Sequence, residues 1–413
     1  MRNRFSSPLS GILVILIVML FGSIVYGQVR EGVLHSFDDA DGANPQAALT
    51  FDSAGNLYGT TLKGGADSCG TAFGMSPKKG GGWREGTLYS FNGTDGCAPS
   101  AALIFDAAGN LYSTTSAGGA YNCGTVFTLR PKAGGGWRQV VLHSFNDDGM
   151  DGCSPLAGLI FDAAGNLYGT TNKGGIYGHG TVFGLMPKPG GGWREGVLHS
   201  FNADNGDGVG PQANLVQDAA GNLYGTTTYG GAYGYGAVFE LTPQSGGNSI
   251  EEVLYSFQHD GTEGTNPYGG LVFDPAGNLY GTTVMGGGYF RCGAVFELTP
   301  QAGGGWVEEI VHRFKHNFKD GCGPEASVIF DSAGNLYGTT IYGGDYGYGS
   351  VFGLAPRASG GWTEITLHSF DGSGADGYYP VDGLILDATG NVYGTTAVGG
   401  SNKYYGTVFG VKP

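Results

Sequence analysis

Apolar residues along this chain come in short bursts that alternate with polar ones, and no stretch keeps a helical rhythm. Residues 101–106 read as a strand. The Asp106-Ala107-Ala108-Gly109-Asn110 that follows reads as a tight turn, its Asp and Asn able to satisfy turn amides and its Gly free to take a positive φ. A second strand is expected over 111–115, running into a loop at Gly118 and Gly119. Over 124–129 the alternation puts Phe127 and Leu129 on one face and Val126 and Thr128 on the other. Pro131 and three glycines precede Trp137, which opens a fourth strand over 137–145.

This unit recurs. The phrase Gly-Asn-Leu-Tyr-Gly-Thr-Thr, or a close variant, opens at Gly55, Gly109, Gly165, Gly221, Gly277, Gly334 and Gly390, at steps of 54 to 57 residues. That period is too long for a β-helix rung or a helical-pair repeat and is near the length of a four-stranded propeller blade. The expected fold is therefore all-β, a seven-bladed β-propeller of four-stranded antiparallel blades, with a β-solenoid as its competitor. The two ends of the chain help to choose. The seventh unit stops at Val408-Phe409-Gly410-Val411 without a fourth strand, while Arg30-Glu31-Gly32-Val33-Leu34-His35-Ser36-Phe37 matches the fourth strand of the third unit, residues 194–201, residue for residue. An N-terminal strand paired with 406–411 would complete the last blade and close a ring, whereas an open solenoid would want polar caps.

The unit with Phe-Asp-x-x-Gly-Asn-Leu-Tyr-Gly-Thr-Thr, the Gly-Gly loop and Gly-Thr-Val-Phe resembles the GloVer tandem repeat of bacterial exported proteins. The resemblance covers essentially the whole chain after residue 27 and implies export and repetition more than any activity. Family members often carry a C-terminal anchoring signal; this sequence ends at Pro413 directly after a strand, with no hydrophobic tail. The Gly-Gly after the second strand and the Trp opening the fourth also resemble kelch blades, an analogy of architecture only.

Composition adds a compartment. Arg2 and Arg4 precede an apolar run over 11–21, and Val25-Tyr26-Gly27 supplies small residues before Gln28. Residues 1–27 therefore read as a signal peptide, with an uncleaved anchor as the alternative, and 28–413 as a single propeller domain without a membrane span. The product is expected in the periplasm or the medium, as a monomer. Charged residues make up 13% of the chain, roughly half the usual share, as expected if most side chains lie between packed sheets. The formal net charge of −15 repels phosphate backbones and argues against nucleic acid as a partner.

Six cysteines fall in two repeat slots: Cys69, Cys123 and Cys292 before a third strand, and Cys97, Cys153 and Cys322 after Asp-Gly in the next interblade loop. The same three repeats carry both slots. In a four-stranded meander the loop between strands two and three lies on the same face as the interblade loop, so the slots can meet. The pairs expected are Cys69–Cys97, Cys123–Cys153 and Cys292–Cys322. A metal site would want Cys-x-x-Cys clustering, which is absent.

Positions that recur in most units read as structural, so chemistry is sought where units differ. His35, His143, His199, His312 and His368 share one fourth-strand slot with Tyr89 and Tyr255 and read as packing or hydrogen-bonding residues. His179, His259 and His316 lie in loops of different units, a poor start for a zinc site. The arginines occupy scattered slots, and no sialidase box is present. Glycoside hydrolysis needs two carboxylates; Asp67, Glu325, Asp345 and Asp382 break the repeat, but sequence cannot pair them. The interblade loops 38–42, 147–152 and 204–208 are acidic enough for Ca²⁺, though Asp, Asn and Gly also make ordinary solvent turns. The loop with Arg313, Lys315, His316 and Lys319 inverts the sign.

The main surface signal is aromatic. Tyr121, Tyr177, Tyr233, Tyr289 and Tyr346 share one slot after Gly-Gly, with Tyr235, Phe290, Tyr348, Tyr404 and Tyr405 nearby. Tyr offers a flat apolar surface and a hydroxyl, suited to sugar stacking or a protein partner, and its alternative role is a wedge between blades. The expected function is a non-catalytic binding or scaffold module for a glycan or protein, with no required cofactor. The alternatives are a propeller hydrolase or lyase acting on carbohydrate or lactone substrates, with Ca²⁺ as its candidate ion, and a purely structural envelope role.

Overall fold

Seven four-stranded antiparallel sheets follow one another around a ring in a computed structural model, the first six with their strands in sequence order from the axis outward. The description covers residues 30–413 except 245–248, 289–290, 316, 318 and 374–375; residues 1–27, expected above to be a signal peptide, lie outside it. No helix occurs among the described residues, and none is therefore long and apolar enough to cross a membrane. In the second blade the strands are Ile104–Phe105, Leu111–Thr115, Thr125–Pro131 and Trp137–Ser144. The first is shorter than the alternation predicts. Residues 101–103 leave the ladder because their carbonyls serve the preceding blade: Ala101 O accepts Thr60 Oγ1 at 3.1 Å, and Leu103 O accepts the Thr50 hydroxyl.

The ring closes as the chain ends require. Arg30–Ser36 pairs antiparallel with Thr407–Lys412, with Val33 opposite Phe409, so the N-terminal strand is the outer edge of the seventh sheet.

Each residue of the repeated phrase has an identifiable task. Asp52 Oδ1 accepts the backbone N–H groups of Ala54 and Asn56, both at 2.9 Å, while Oδ2 accepts the Asn56 amide and the Tyr58 hydroxyl. Gly55 takes φ +81° at the turn. A methyl group on Gly59 would lie 2.6 Å from the Phe73 ring, so a side chain there would displace the core. Thr61 shares a hydrogen bond with Thr71 at 2.9 Å across the second and third strands. The preceding Thr reaches the next blade: Thr60, Thr114, Thr170, Thr226, Thr282 and Thr339 each donate to a carbonyl there, and Thr395 completes the circle on Ala47 O.

Adjacent blades are joined by aromatic rings. The Phe that follows each fourth strand packs edge-on against the third-strand Phe of the next blade, as Phe145 does on Phe183 at 5.0 Å and Phe37 on Phe73 at 5.1 Å across the closure. The Tyr of the phrase fills the seam as well: Tyr112 meets Phe161 at 5.2 Å and Trp193 at 6.3 Å, and Tyr393 meets Phe51 and Trp83 of the first blade. Both faces of the third strand are covered, so Val126, Phe127, Thr128 and Leu129 are all buried despite their alternation.

Candidate functional site

The loops between second and third strands and the interblade loops lie together on one face. Gly65 N–H donates to Asp39 O at 2.7 Å, and the same bond recurs from Gly175 to Asp151 and from Gly231 to Asp207. All three expected disulfides form, with Cα–Cα separations of 4.5, 4.7 and 4.5 Å. The alternation does not predict the short ladders that further bind the two loops, such as Gly152–Cys153 with Lys173–Gly174 and Gly208–Val209 with Tyr229–Gly230. This face is therefore a crosslinked crown rather than a set of free loops.

Tyr121, Tyr177, Tyr233 and Tyr346 stand on it with 55 to 61% of their surface exposed; Tyr289 and Phe290 lie outside the described residues. The wedge position is taken by the tyrosines of the repeated phrase instead. Tyr177 lines a groove of about 710 Å³ with Met150, Ile176, Asp148 and Glu195. Tyr346 lines one of about 650 Å³ with Lys319, Asp345, His368 and Asp371. A second aromatic group joins the sixth and seventh blades, where Tyr342 meets Tyr379 at 5.6 Å and Tyr348 meets Tyr378 at 5.5 Å. Sequence reading singled out Tyr348 but missed the other three: the Tyr378 and Tyr379 slots hold other residue types elsewhere, and the Tyr342 slot repeats its tyrosine only at Tyr229.

At the axis, a pocket of about 240 Å³ is lined by the residues that follow the Pro of each unit. One slot in this lining varies around the ring as Gln46, Ser100, Leu156, Gln212, Tyr268, Glu325 and Val381. The next slot is Ala or Gly in six units and Asp382 in the seventh. Glu325 and Asp382, unpaired in the sequence, thus line one cavity. Burial raises the Glu325 carboxyl above its ordinary value. Asp382 retains a little accessible surface inside the channel, yet protein atoms surround it, and this burial pushes its carboxyl up to about 6 against backbone hydrogen bonds that act the other way. Those bonds come from Ala48 N–H at 2.7 Å and Gly383 N–H at 2.6 Å, so Asp382 also clasps the seventh blade to the first. Asp67 is exposed in its loop and Asp345 belongs to the Tyr346 groove, so neither joins this pair.

The fourth-strand histidines are hydrogen-bonding residues, as expected. His35, His143, His199, His312 and His368 each contact the Asp that ends the following interblade loop, at 2.8 to 3.4 Å. Those aspartates also hold their loops: Asp151 accepts Asn146 N–H at 3.0 Å and Gly152 N–H at 2.6 Å. Among the loop histidines, His259 packs on Tyr235 at 5.2 Å, His316 lies outside the described residues, and no described metal-competent group includes His179 or His259. In the basic loop, Arg313 donates from its guanidinium to Thr262 O at 3.0 and 3.2 Å, bracing the neighbouring interblade loop.

A glutamate from the next blade approaches four of the His–Asp pairs, a feature the sequence reading did not find. Burial pushes Glu85, Glu195 and Glu251 up to about 7. Their slot is Gln139 where the histidine slot is Tyr89, but remains Glu308 where it is Tyr255, so repeat slots alone did not mark the group.

The Gloeobacter/Verrucomicrobia repeat, as a described family, matches residues 23–206, 138–317 and 290–413, which together take in the whole ring. No curated protein matches the chain. Among solved structures, the extracellular domain of a protein from B. thetaiotaomicron described as a hybrid two-component system aligns with a TM-score of 0.57 at 9% identity, over 93% of this chain and 39% of that one. This chain thus spans about two fifths of the length of that extracellular domain. A protein from Thermus thermophilus described as an oxidoreductase (glucose dehydrogenase) aligns with a TM-score of 0.45 at 15% identity, over 93% of this chain and all of that one. A Dyadobacter fermentans protein of unknown function gives 0.45 at 13% identity, over 93% and 98%. At these identities the likeness is one of fold alone.

Proposed function

We propose that this chain, which belongs to the Gloeobacter/Verrucomicrobia repeat family, is an exported, non-catalytic binding propeller that holds a glycan on its crosslinked face. The observation that carries the reading is the exposure of Tyr121, Tyr177, Tyr233 and Tyr346 in one repeat slot, with Tyr177 and Tyr346 lining grooves walled by acidic side chains. Tyrosine rings stack on the C–H faces of sugars, and neighbouring carboxylates accept their hydroxyls. Crosslinking by disulfides and ladders lowers the ordering cost of binding. The disulfides also favour an oxidising compartment, the periplasm or the medium. The reading requires no cofactor.

Glycan-array screening followed by calorimetry on the hit tests it. Tyr177→Ala and Tyr346→Ala should each weaken binding about tenfold or more, by analogy with buried aromatic anchors, with melting unchanged. Retained affinity in both variants overturns the proposal, and a protein captured in place of a glycan changes the ligand class. Adding Ca²⁺ to chelator-treated protein tests whether the acidic loops contribute through an ion.

A second reading has one observation in its favour, the presence of Glu325 and Asp382 in the lining of one axial pocket. Two carboxylates with raised pKa are the equipment of a carbohydrate-active hydrolase or lyase. Turnover of any oligosaccharide or lactone that disappears in Glu325→Gln and Asp382→Asn would establish it over simple binding.

A further inference from the structure

The outer seams between blades hold His–Asp–Glu groups, of which the binding reading uses only Glu195, as a wall of the Tyr177 groove. At the seam of the second and third blades, His143 Nε2 lies 2.9 Å from Asp151 Oδ2, and Glu195 reaches in from the fourth strand of the next blade. One ligand atom from each residue lies within 4.8 Å of the other two, and the same is true of His35–Asp41–Glu85, His199–Asp207–Glu251 and His312–Asp320–Glu364. Facing carboxylates in a half-buried seam repel unless something positive lies between them. The histidine answers the aspartate, yet Glu85 Oε1, Glu195 Oε1 and Glu251 Oε1 are shielded from solvent and accept no hydrogen bond.

We infer that these four seams bind divalent transition-metal ions of the Zn²⁺ type, each ion joining two blades through one imidazole and two carboxylates. Zn–N and Zn–O bonds of about 2.0–2.2 Å in a tetrahedral set place ligand atoms roughly 3.4 Å apart, so side-chain movements of about 1 Å close the site. A fourth position stays open to water. The imidazole selects against Ca²⁺ and Mg²⁺, which prefer all-oxygen sites. The His143 side chain keeps 22% of its surface, which leaves a path for the ion. The repeat supplies an internal control. Where Tyr89 replaces the histidine, Gln139 replaces the glutamate and donates to Asp95 O at 3.0 Å, leaving no unanswered carboxylate. The Tyr255 seam keeps Glu263 and Glu308 but has no imidazole, and lies outside the set.

The test strips the purified protein with a chelator, dialyses it against Zn²⁺ or Ca²⁺, and measures bound metal and melting temperature. Zn²⁺ should be retained and should raise melting, and Ca²⁺ should do neither. Glu195→Gln should remove one Zn²⁺ equivalent, and the combined Glu85→Gln, Glu195→Gln, Glu251→Gln, Glu364→Gln protein should lose four. Glutamine already occupies this slot at 139, so the variants keep a residue the fold accepts. In the other direction, Tyr89→His with Gln139→Glu should add one equivalent. Zn²⁺ binding that is unchanged in the fourfold variant, or Ca²⁺ retained in its place, overturns the inference.

Discussion

The two faces of the ring treat the same kind of side chain in opposite ways. On the face of the Asp-x-x-Gly-Asn turns, Asp387 accepts bonds from the backbone and side chains of Thr389 and Asn391 and from the Tyr393 hydroxyl. Burial alone would raise its carboxyl, but these donors pull it down to about 2. On the crosslinked face and in the axial pocket, burial dominates instead, and Glu195 and Asp382 are pushed up to about 7 and about 6. The turn-face aspartates bond within their own units. The other face leaves carboxylates near neutrality and tyrosine rings in water. One template produced both, and the slot that varies most around the ring lines the axial pocket, where a ligand can reach it.

The largest test of this division removes a piece of the constant part. Deleting Arg30 to Phe37 exposes the edge of Thr407–Lys412 and takes away Phe37, which is fully buried against Phe73. Since a buried Phe alone is worth about 3–5 kcal/mol, the ring should lose at least about 5 kcal/mol or fail to stay monomeric, as read by denaturant unfolding and light scattering. A variant that melts like the parent would refute closure by this strand.

A finer cut compares two tyrosines of one blade. Tyr112 is 6% exposed and packed between Phe161 and Trp193, whereas Tyr121 is 59% exposed on the crown. Tyr112→Ala should cost about 2–5 kcal/mol and Tyr121→Ala no more than about 0.5 kcal/mol. Similar losses at both sites would erase the distinction between wedge and rim.

The smallest expected effect is a difference in pH slope. Asp382 has a folded pKa of about 6 against an ordinary 3.8, so the native state binds the extra proton between those values. Its contribution to stability is full below that window and is lost as pH rises through about 6. Asp387, lowered to about 2, has the opposite sign: its contribution is present above the ordinary value and is lost as pH falls through about 2. Asp382→Asn should therefore flatten the decline between about pH 4 and 6 and leave the acid limb alone, while Asp387→Asn should do the reverse. A wild-type slope over about pH 4 to 6 in Asp382→Asn would show that the channel does not bury this group.

The repeat phrase, the permuted ends and the twin cysteine slots were enough to read off seven blades, ring closure, three disulfides and the sharing of one face by two kinds of loop. Each of these follows from information carried within a single unit or from its recurrence, because strand alternation and turn chemistry act over a few residues. The outcome for Tyr177 and Tyr346 required more, since a recurring aromatic fits a wedge and a rim equally well until Tyr112 and its equivalents are seen filling the seams. The shortened first strands were also hidden, because the carbonyls of 101–103 answer to threonines one unit away.

What only the tertiary structure decided is which residue of one blade meets which residue of the next. Glu195 finds His143 and Asp151, and Asp382 shares the axial pocket with Glu325 and bonds Ala48 across the closure, through a sheet twist and ring curvature that no local pattern encodes. Burial of those carboxylates is a property of the assembled ring. The sequence by itself determined the blade and its count, because those rest on short-range alternation and repetition; the sites between blades were settled only when the circle closed.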